Sequence, residues 1–311
     1  MNSLRPQLFD DLIGQEEIIS NLKISVASAK ARGDVLSHCL FYGGAGLGKT
    51  TLSRALANEL GVPIQIANGA SLNSNRDVLP YLMKLERGSI FFIDEIHRMS
   101  KKVQEYLLTV IEDFRLDIVI PATKGNKGET VSMEIPKFCF VGATTEMGEL
   151  VQPFLDRFKL KHYMQQYNIE ELSSLICGNA DKMKVEVSRD GIAAIANVSR
   201  GTPRLANNFL EWIRDYKIAK NIGRMEGSSV LEALKLQGID KEGLTPIDRN
   251  YLNYMEKLPN EHPVGVNTLC SALNIDRQTI EKKIEPWLIQ KGLVLRTVKG
   301  RVLVRNVQKT P

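Results

Sequence analysis

Residues 41–51, Phe-Tyr-Gly-Gly-Ala-Gly-Leu-Gly-Lys-Thr-Thr, constrain this chain more than any other stretch. An apolar run breaks into glycines, meets a lysine and two threonines, and continues as an amphipathic segment. Gly43, Gly48, Lys49 and Thr50 thereby match G-x-x-x-x-G-K-[ST] between a strand and a helix. In that setting the glycines let backbone N–H groups point inward, and the helix N-terminus adds positive potential. Lys49 reaches the terminal phosphates, and Thr50, followed by Thr51, offers a hydroxyl to a magnesium ion. The stretch predicts a nucleotide phosphate site, with ATP and Mg2+ as cofactors.

A matching acidic signal follows at residues 89–97, SIFFIDEIH. Asp94 and Glu95 end an apolar strand, at the carboxyl edge of a sheet where ligands sit in open α/β folds. Asp94 is placed to help hold magnesium, and Glu95 to orient or deprotonate an attacking water. Residues 140–145, FVGATT, form another buried strand that ends in hydroxyls, with Thr145 placed to touch the γ-phosphate or the water. The expected chemistry is ATP hydrolysis.

Apolar runs at His38 to Tyr42, Pro63 to Ala67, Ser89 to Asp94, Phe138 to Ala143 and Lys161 to Gln166 alternate with helical periods such as Thr50 to Glu59 and Lys101 to Glu112. This predicts βαβ units around a parallel sheet. From Ile169 to Leu236 apolar residues recur at three and four spacings, which predicts a small helical domain. Gly238 to Thr245 reads as a polar linker. Three further helical segments then lead to two short strands, Val294 to Val298 and Arg301 to Arg305, the order of a winged helix.

The chain has 311 residues, 43% of them hydrophobic, enough for two or three domains. A net charge of +5 permits an anionic partner, and the charge is unevenly placed. From Lys291 onward the chain carries Lys291, Arg296, Lys299, Arg301, Arg305 and Lys309 and no acidic residue. Behind a helix-turn-helix pattern, such a cluster predicts contact with DNA phosphates and little base preference. Trp287 is assigned to the core. Leu116, Ile118 and Ile120 alternate into a KGNKG turn, and Val131, Met133 and Ile135 alternate out, a β-hairpin with an apolar face. Cys39, Cys139, Cys177 and Cys270 form no CxxC pair and have apolar neighbours, so reduced core thiols are expected. There is no leader pattern and no apolar run of about 18 residues, so a soluble cytoplasmic protein, not a membrane one, is expected.

In this order and spacing the elements resemble the AAA+ ATPases. The stretches LRP (4–6), DDLIGQE (10–16), IEDFRLDIVI (111–120), GATT (142–145), DRF (156–158), RGTPRLANNFL (200–210) and EPWLIQKGLVLRTVKGR (285–301) resemble the RuvB family over almost the whole chain. The resemblance implies an AAA+ P-loop parallel-sheet domain (1–165) with a hairpin near 115–136, a helical lid domain (166–238) and a winged-helix domain (239–311). It implies an ATP-dependent DNA motor that drives branch migration of Holliday junctions in recombination and repair. The motor would be a homo-oligomeric ring, a hexamer, with a RuvA-like partner bound through the hairpin.

By the same resemblance Leu4, Arg5, Glu112, Asp113, Phe114 and Tyr167 line the nucleotide site, with Gly46, Lys49, Thr50 and Thr51 around the phosphates. Thr145 and Arg204 match the two sensor positions, Arg157 the arginine finger, and Arg296 and Arg301 the DNA-contacting positions of the wing. The chain departs from the family pattern at Gly44 and Ala45, usually prolines, and at Glu146, Phe154 and Lys159, which the resemblance places at a subunit interface. Two other classes stay open at this point: a DNA-bound switch or loader in which ATP binding recruits a partner, and an inactive subunit of a mixed ring.

Overall fold

The computed structural model describes residues 4–120, 129–258 and 263–304. The KGNKG turn and the basic residues Arg305 and Lys309 lie outside the described residues. The chain forms two compact units, one of residues 1–175 and 201–204, the other of residues 176–200 and 205–311.

In the first unit, helix α1 (Glu16–Arg32) precedes β1 (Cys39–Gly43), α2 (Lys49–Leu60), β2 (Ile64–Asn68), α3 (Asn75–Leu82), β3 (Ile90–Asp94) and α4 (Lys101–Asp113). A hairpin of β4 (Arg115–Ile120) and β5 (Glu129–Glu134) comes next, then β6 (Cys139–Thr144), α5 (Gln152–Asp156) and β7 (Leu160–Met164). The expected βαβ alternation is present. Five strands make one parallel sheet in the order β2-β3-β6-β1-β7. Its three central strands are near-continuous apolar runs because both faces are covered. The register aligns Gly43 with Met164, Tyr42 with Thr144, and Asn68 with Asp94, so the carboxyl ends of all five strands share one edge.

Aromatic rings fill the face of the sheet toward α4 and α5. Phe140 lies with its ring centroid 5.8 Å from Phe91, 5.8 Å from Phe154 and 5.5 Å from Phe158. Phe154 is wholly buried among them, which corrects the expectation that this departure from the family pattern sits at a subunit interface: its aromatic ring fills the core. His38, just before β1, ties two elements together. Its Nδ1 accepts the backbone N–H of Phe140 at 3.0 Å while its Nε2 donates to the carbonyl of Ile111 at 3.1 Å. Burial lowers its pKa, in keeping with the neutral tautomer those bonds require.

Among the described residues the hairpin strands pair only with each other, with Leu116 opposite Met133 and Ile118 opposite Val131. Its base, Leu116 and Ile135, is buried in the main core, whereas Val131 is exposed.

The second unit holds most of α6 (Ile169–Met183), then α7 (Arg189–Val198), α8 (Pro203–Ala219) beyond its first two residues, and α9 (Gly227–Leu236). It continues through α10 (Pro246–Glu256), α11 (Val266–Leu273) and α12 (Arg277–Thr279), which passes through a π-helical turn at Ile280–Ile284 into α13 (Glu285–Gln290). The antiparallel pair β8 (Val294–Thr297) and β9 (Gly300–Leu303) follows. Tyr251, Leu269, Ile280, Ile284, Trp287, Leu288 and Val294 form its winged-helix core, so Trp287 is core as expected.

Residues 238–245 are not the loose linker that their composition suggests. Leu244 N donates to Asp240 Oδ1 at 2.8 Å, and Arg200 Nη2 reaches the Gly243 carbonyl at 2.6 Å and Asp248 Oδ2 at 2.5 Å. Asp248 also caps α10 through Thr245. Gly243, Leu244 and Thr245 are thus held by hydrogen bonds to Arg200, Asp240 and Asp248, while Lys241 and Glu242 stay exposed. The thiol expectation holds for Cys39 and Cys139; Cys270 is half-buried and Cys177 exposed, since α6 turns that position outward.

Phe140→Ala is expected to destabilise the first unit by about 3–5 kcal/mol through loss of ring contacts and the cavity left behind. The shift of its unfolding midpoint in urea checks this.

Candidate nucleotide site and DNA wing

The phosphate loop is built by backbone that only glycine adopts readily. Gly46 and Gly48 have φ of 78° and 99°, and Gly48 caps the start of α2. Lys49 curls over the loop, its Nζ donating to the carbonyls of Gly43 at 2.8 Å and Gly44 at 2.6 Å. Burial brings the Lys49 ammonium down to about 8; Asp94 and Glu95 pull it up, and Arg204 pushes it further down. Thr51 lies in the first turn of α2.

Across the same edge, Thr50 Oγ1 donates to Asp94 Oδ2 at 2.7 Å. A hydroxyl and a carboxylate thus meet at one point, a donor set of the all-oxygen kind that Mg2+ takes. Glu95 follows in left-handed backbone with φ of 50°, its carboxylate 3.1 Å from Arg98 Nη1. Thr144 is wholly buried, and its hydroxyl bonds His97 Nδ1 at 3.0 Å and the Glu146 N–H at 2.9 Å. Thr145 is the exposed neighbour at the strand end. His97 was not legible as a site residue in the sequence, because nothing in its spacing shows that it spans from the β3 edge to β6.

The GTPR turn lies directly against the loop. Arg204 N approaches the Gly46 carbonyl at 3.4 Å, and a Cβ on Gly46 would sit 2.7 Å from Thr202 Cγ2. Tyr167 N donates to the Gly201 carbonyl at 3.0 Å, and the Tyr167 hydroxyl is within 4.0 Å of the Cβ position of Gly48. Burial first, then Glu171, pushes the Tyr167 phenol up to about 12, so it stays protonated. Gln15 holds the same wall: its Nε2 donates to the Gln165 carbonyl at 2.7 Å. Gln15 is a second residue that the motif reading overlooked. Leu4 is half-buried and Arg5 exposed near the start of the described chain; no described contact joins either to the loop.

Other expected residues are elsewhere. Glu112 and Asp113 end α4, and Phe114 follows in left-handed backbone, its ring 5.7 Å from Phe138 and 6.3 Å from His38. Phe138 and His38 precede β6 and β1, so this turn is at the amino edge of the sheet. Arg157 is there too, just ahead of β7, with Nη2 on Glu112 Oε2 at 2.6 Å and Nε buried without a partner among the described residues. Four residue steps of strand, about 13 Å, separate that edge from the phosphate loop. The Glu112–Phe114 turn and Arg157 therefore do not line the loop of their own chain.

In the wing, the Arg301 side chain is 9% exposed, with Nε 2.7 Å from the wholly buried Glu285 and Nη2 3.0 Å from Glu281. Arg296, directly opposite on β8, is 48% exposed.

Three family models match the chain in succession: the Holliday junction DNA helicase RuvB P-loop domain over residues 4–164, the RuvB AAA lid domain over 167–240 and the RuvB C-terminal winged helix domain over 241–309. The Holliday junction branch migration complex subunit RuvB of Rhodopirellula baltica is 41% identical over 300 residues, 96% of this chain and 81% of the relative. That of Fusobacterium nucleatum is 41% identical over 301 residues, 97% of this chain and 90% of the relative. The solved structure of the Thermotoga maritima RuvB Holliday junction branch migration motor matches with a TM-score of 0.84 and 36% identity, covering 97% of this chain and 96% of that one. Motif geometry, family models and relatives agree along the whole length, and this chain belongs to the RuvB family.

Proposed function

We propose that this chain is the ATP-hydrolysing motor of a Holliday junction branch migration complex, working as a ring on DNA with a RuvA-like partner. The observation that carries this reading is a separation. Lys49, Thr50, Asp94 and Glu95 gather at one edge of the sheet, and Arg157 stands at the other. One chain holds the two halves of a phosphoryl-transfer site facing away from each other, as head-to-tail copies require. A closed ring of such contacts, six in the family arrangement, completes every site.

In this reading Lys49, Thr51 and the loop N–H groups bind the phosphates, and Thr50 and Asp94 hold Mg2+, which neutralises charge on the phosphates. Glu95 orients the attacking water. Thr145 and Arg204 sense the terminal phosphate, and Tyr167 walls the nucleoside side. Arg157 completes the neighbouring copy's site, the Glu112–Phe114 turn beside it. An arginine finger accounts for about 10³- to 10⁵-fold in rate. The functional parts are residues 1–165 for hydrolysis, 166–238 for the lid and 239–311 for DNA, with Arg296 on phosphate. The apolar face near Val131 suits the RuvA-like partner. Among the described residues no helix is long and apolar enough to cross a membrane.

Steady ATP hydrolysis stimulated by DNA, together with strand displacement of a synthetic four-way junction, is expected. Hydrolysis about once per loading event points instead to a loader, and none under any condition to an inactive ring subunit. Lys49→Ala and Arg157→Ala are each expected to lose at least about 10³-fold in kcat, and mixing the two dead proteins is expected to restore part of the activity, as only a finger acting between copies allows. Asp94→Asn is expected to raise the Mg2+ concentration for half-maximal turnover severalfold, measured by magnesium titration. Because the Lys49 ammonium is lost as pH rises through about 8, ATP affinity is expected to fall above that pH. Lys49→Arg, which keeps its charge, is expected to show no such fall in a nucleotide titration between pH 7 and 9.5.

A further inference from the structure

Glu95 and Thr145 stand at the ends of neighbouring strands, β3 and β6, and His97 ties the segments that carry them. Glu95 leaves the sheet in left-handed backbone, and the helical turn Ile96–Arg98 closes behind it, with Arg98 N donating to the Glu95 carbonyl at 2.9 Å. From the β2 side this turn is tightly seated, because a Cβ on Gly69 would lie 2.2 Å from the Glu95 carbonyl oxygen. From the β6 side it is held twice. Ile96 is wholly buried against Gly142, where a Cβ would lie 2.6 Å from Ile96 Cδ1, and His97 Nδ1 meets Thr144 Oγ1 at 3.0 Å. A hydroxyl has one proton to give and two lone pairs. The buried Thr144 hydroxyl accepts the Glu146 N–H at 2.9 Å, and among the described contacts its own proton has His97 Nδ1 as acceptor. The imidazole proton is then on Nε2, which faces the Glu146 carboxylate at 3.9 Å. Both chain neighbours of Thr145 are thereby tied to one imidazole, which is itself only 10% exposed. Glu146 is also a position at which this chain departs from the family pattern.

We infer that His97 is a positioning residue for hydrolysis: it touches neither nucleotide nor water, and it fixes Thr145 relative to Glu95 so that the sensing hydroxyl and the water-orienting carboxylate meet at one terminal phosphate. A misplacement of about 1 Å, caused away from the chemistry, can lower a rate by about 10²-fold. The phosphates themselves are held by Lys49 and the loop, so loss of His97 falls on the chemical step and leaves nucleotide binding in place. This inference rests on the roles given above to Glu95 and Thr145.

The experiment measures DNA-stimulated ATP hydrolysis by the full chain, with KM for ATP and the urea unfolding midpoint read for each variant. His97→Leu, which fills similar space without an acceptor, is expected to lower kcat by about 10- to 100-fold at unchanged KM. His97→Asn keeps an acceptor where Nδ1 stands and is expected to stay within about threefold of the wild-type kcat. A double variant, His97→Leu with Thr144→Val, separates stability from positioning, because it replaces both partners of the buried hydrogen bond by apolar groups. Its unfolding midpoint is expected to return toward that of the wild type while kcat stays as low as in His97→Leu. The positioning role is overturned by a His97→Leu kcat within about twofold of wild type, by a fall in kcat accompanied by an equal rise in KM, or by His97→Asn as slow as His97→Leu. A double variant whose kcat recovers together with its stability overturns it as well. Absence of ATP turnover in the wild-type chain overturns instead the hydrolysis reading on which the inference rests.

Discussion

Parallel pairing of five strands is the constraint from which the rest of the site follows. Because β1, β3 and β6 run in one direction, the loop after β1, the carboxylates after β3 and the hydroxyls after β6 converge on one edge with no further device. The Thr50–Asp94 hydrogen bond then joins the start of α2 to the end of β3. The same parallelism sends whatever precedes a strand to the other edge, which is where Arg157, ahead of β7, meets Glu112 at the end of α4. The geometry that gathers Lys49, Thr50 and Asp94 therefore keeps Arg157 at the opposite edge of the same sheet.

Much of this was readable in the residues. The phosphate loop announces itself through glycines whose backbone is left-handed, and Asp94 through its place at the end of a buried apolar run. Strand identity followed from runs apolar on both faces, which water does not tolerate outside a covered sheet. Contacts made by single side chains across long separations were not readable. His38 reaching Ile111 and Phe140, His97 reaching Thr144, and Gln15 reaching Gln165 leave no periodic mark. Phe154 escapes the sequence for a related reason: nothing in its spacing shows that its ring joins the buried Phe140 cluster and does not stand at a subunit interface.

Charge was the least legible property. A stretch with six cations and no acids after residue 290 reads as uniformly available to phosphate, yet Arg301 is taken up by carboxylates from residues 281 and 285. Glu281 and Glu285 lie earlier in the chain than these cations, and helix packing returns them to the wing. The polar segment at 238–245 misleads in the same way, since the Gly243 carbonyl is met by Arg200 and the Leu244 N–H by Asp240.

The close approach of Gly46 to Thr202 has a mechanical meaning. Even one methyl group on the glycine would stand 2.7 Å from the threonine, so the two surfaces meet with no free play. Any side chain larger than hydrogen at position 46 would have to push the GTPR turn away from the loop, so the fit of these two segments depends on the absence of a single methyl group.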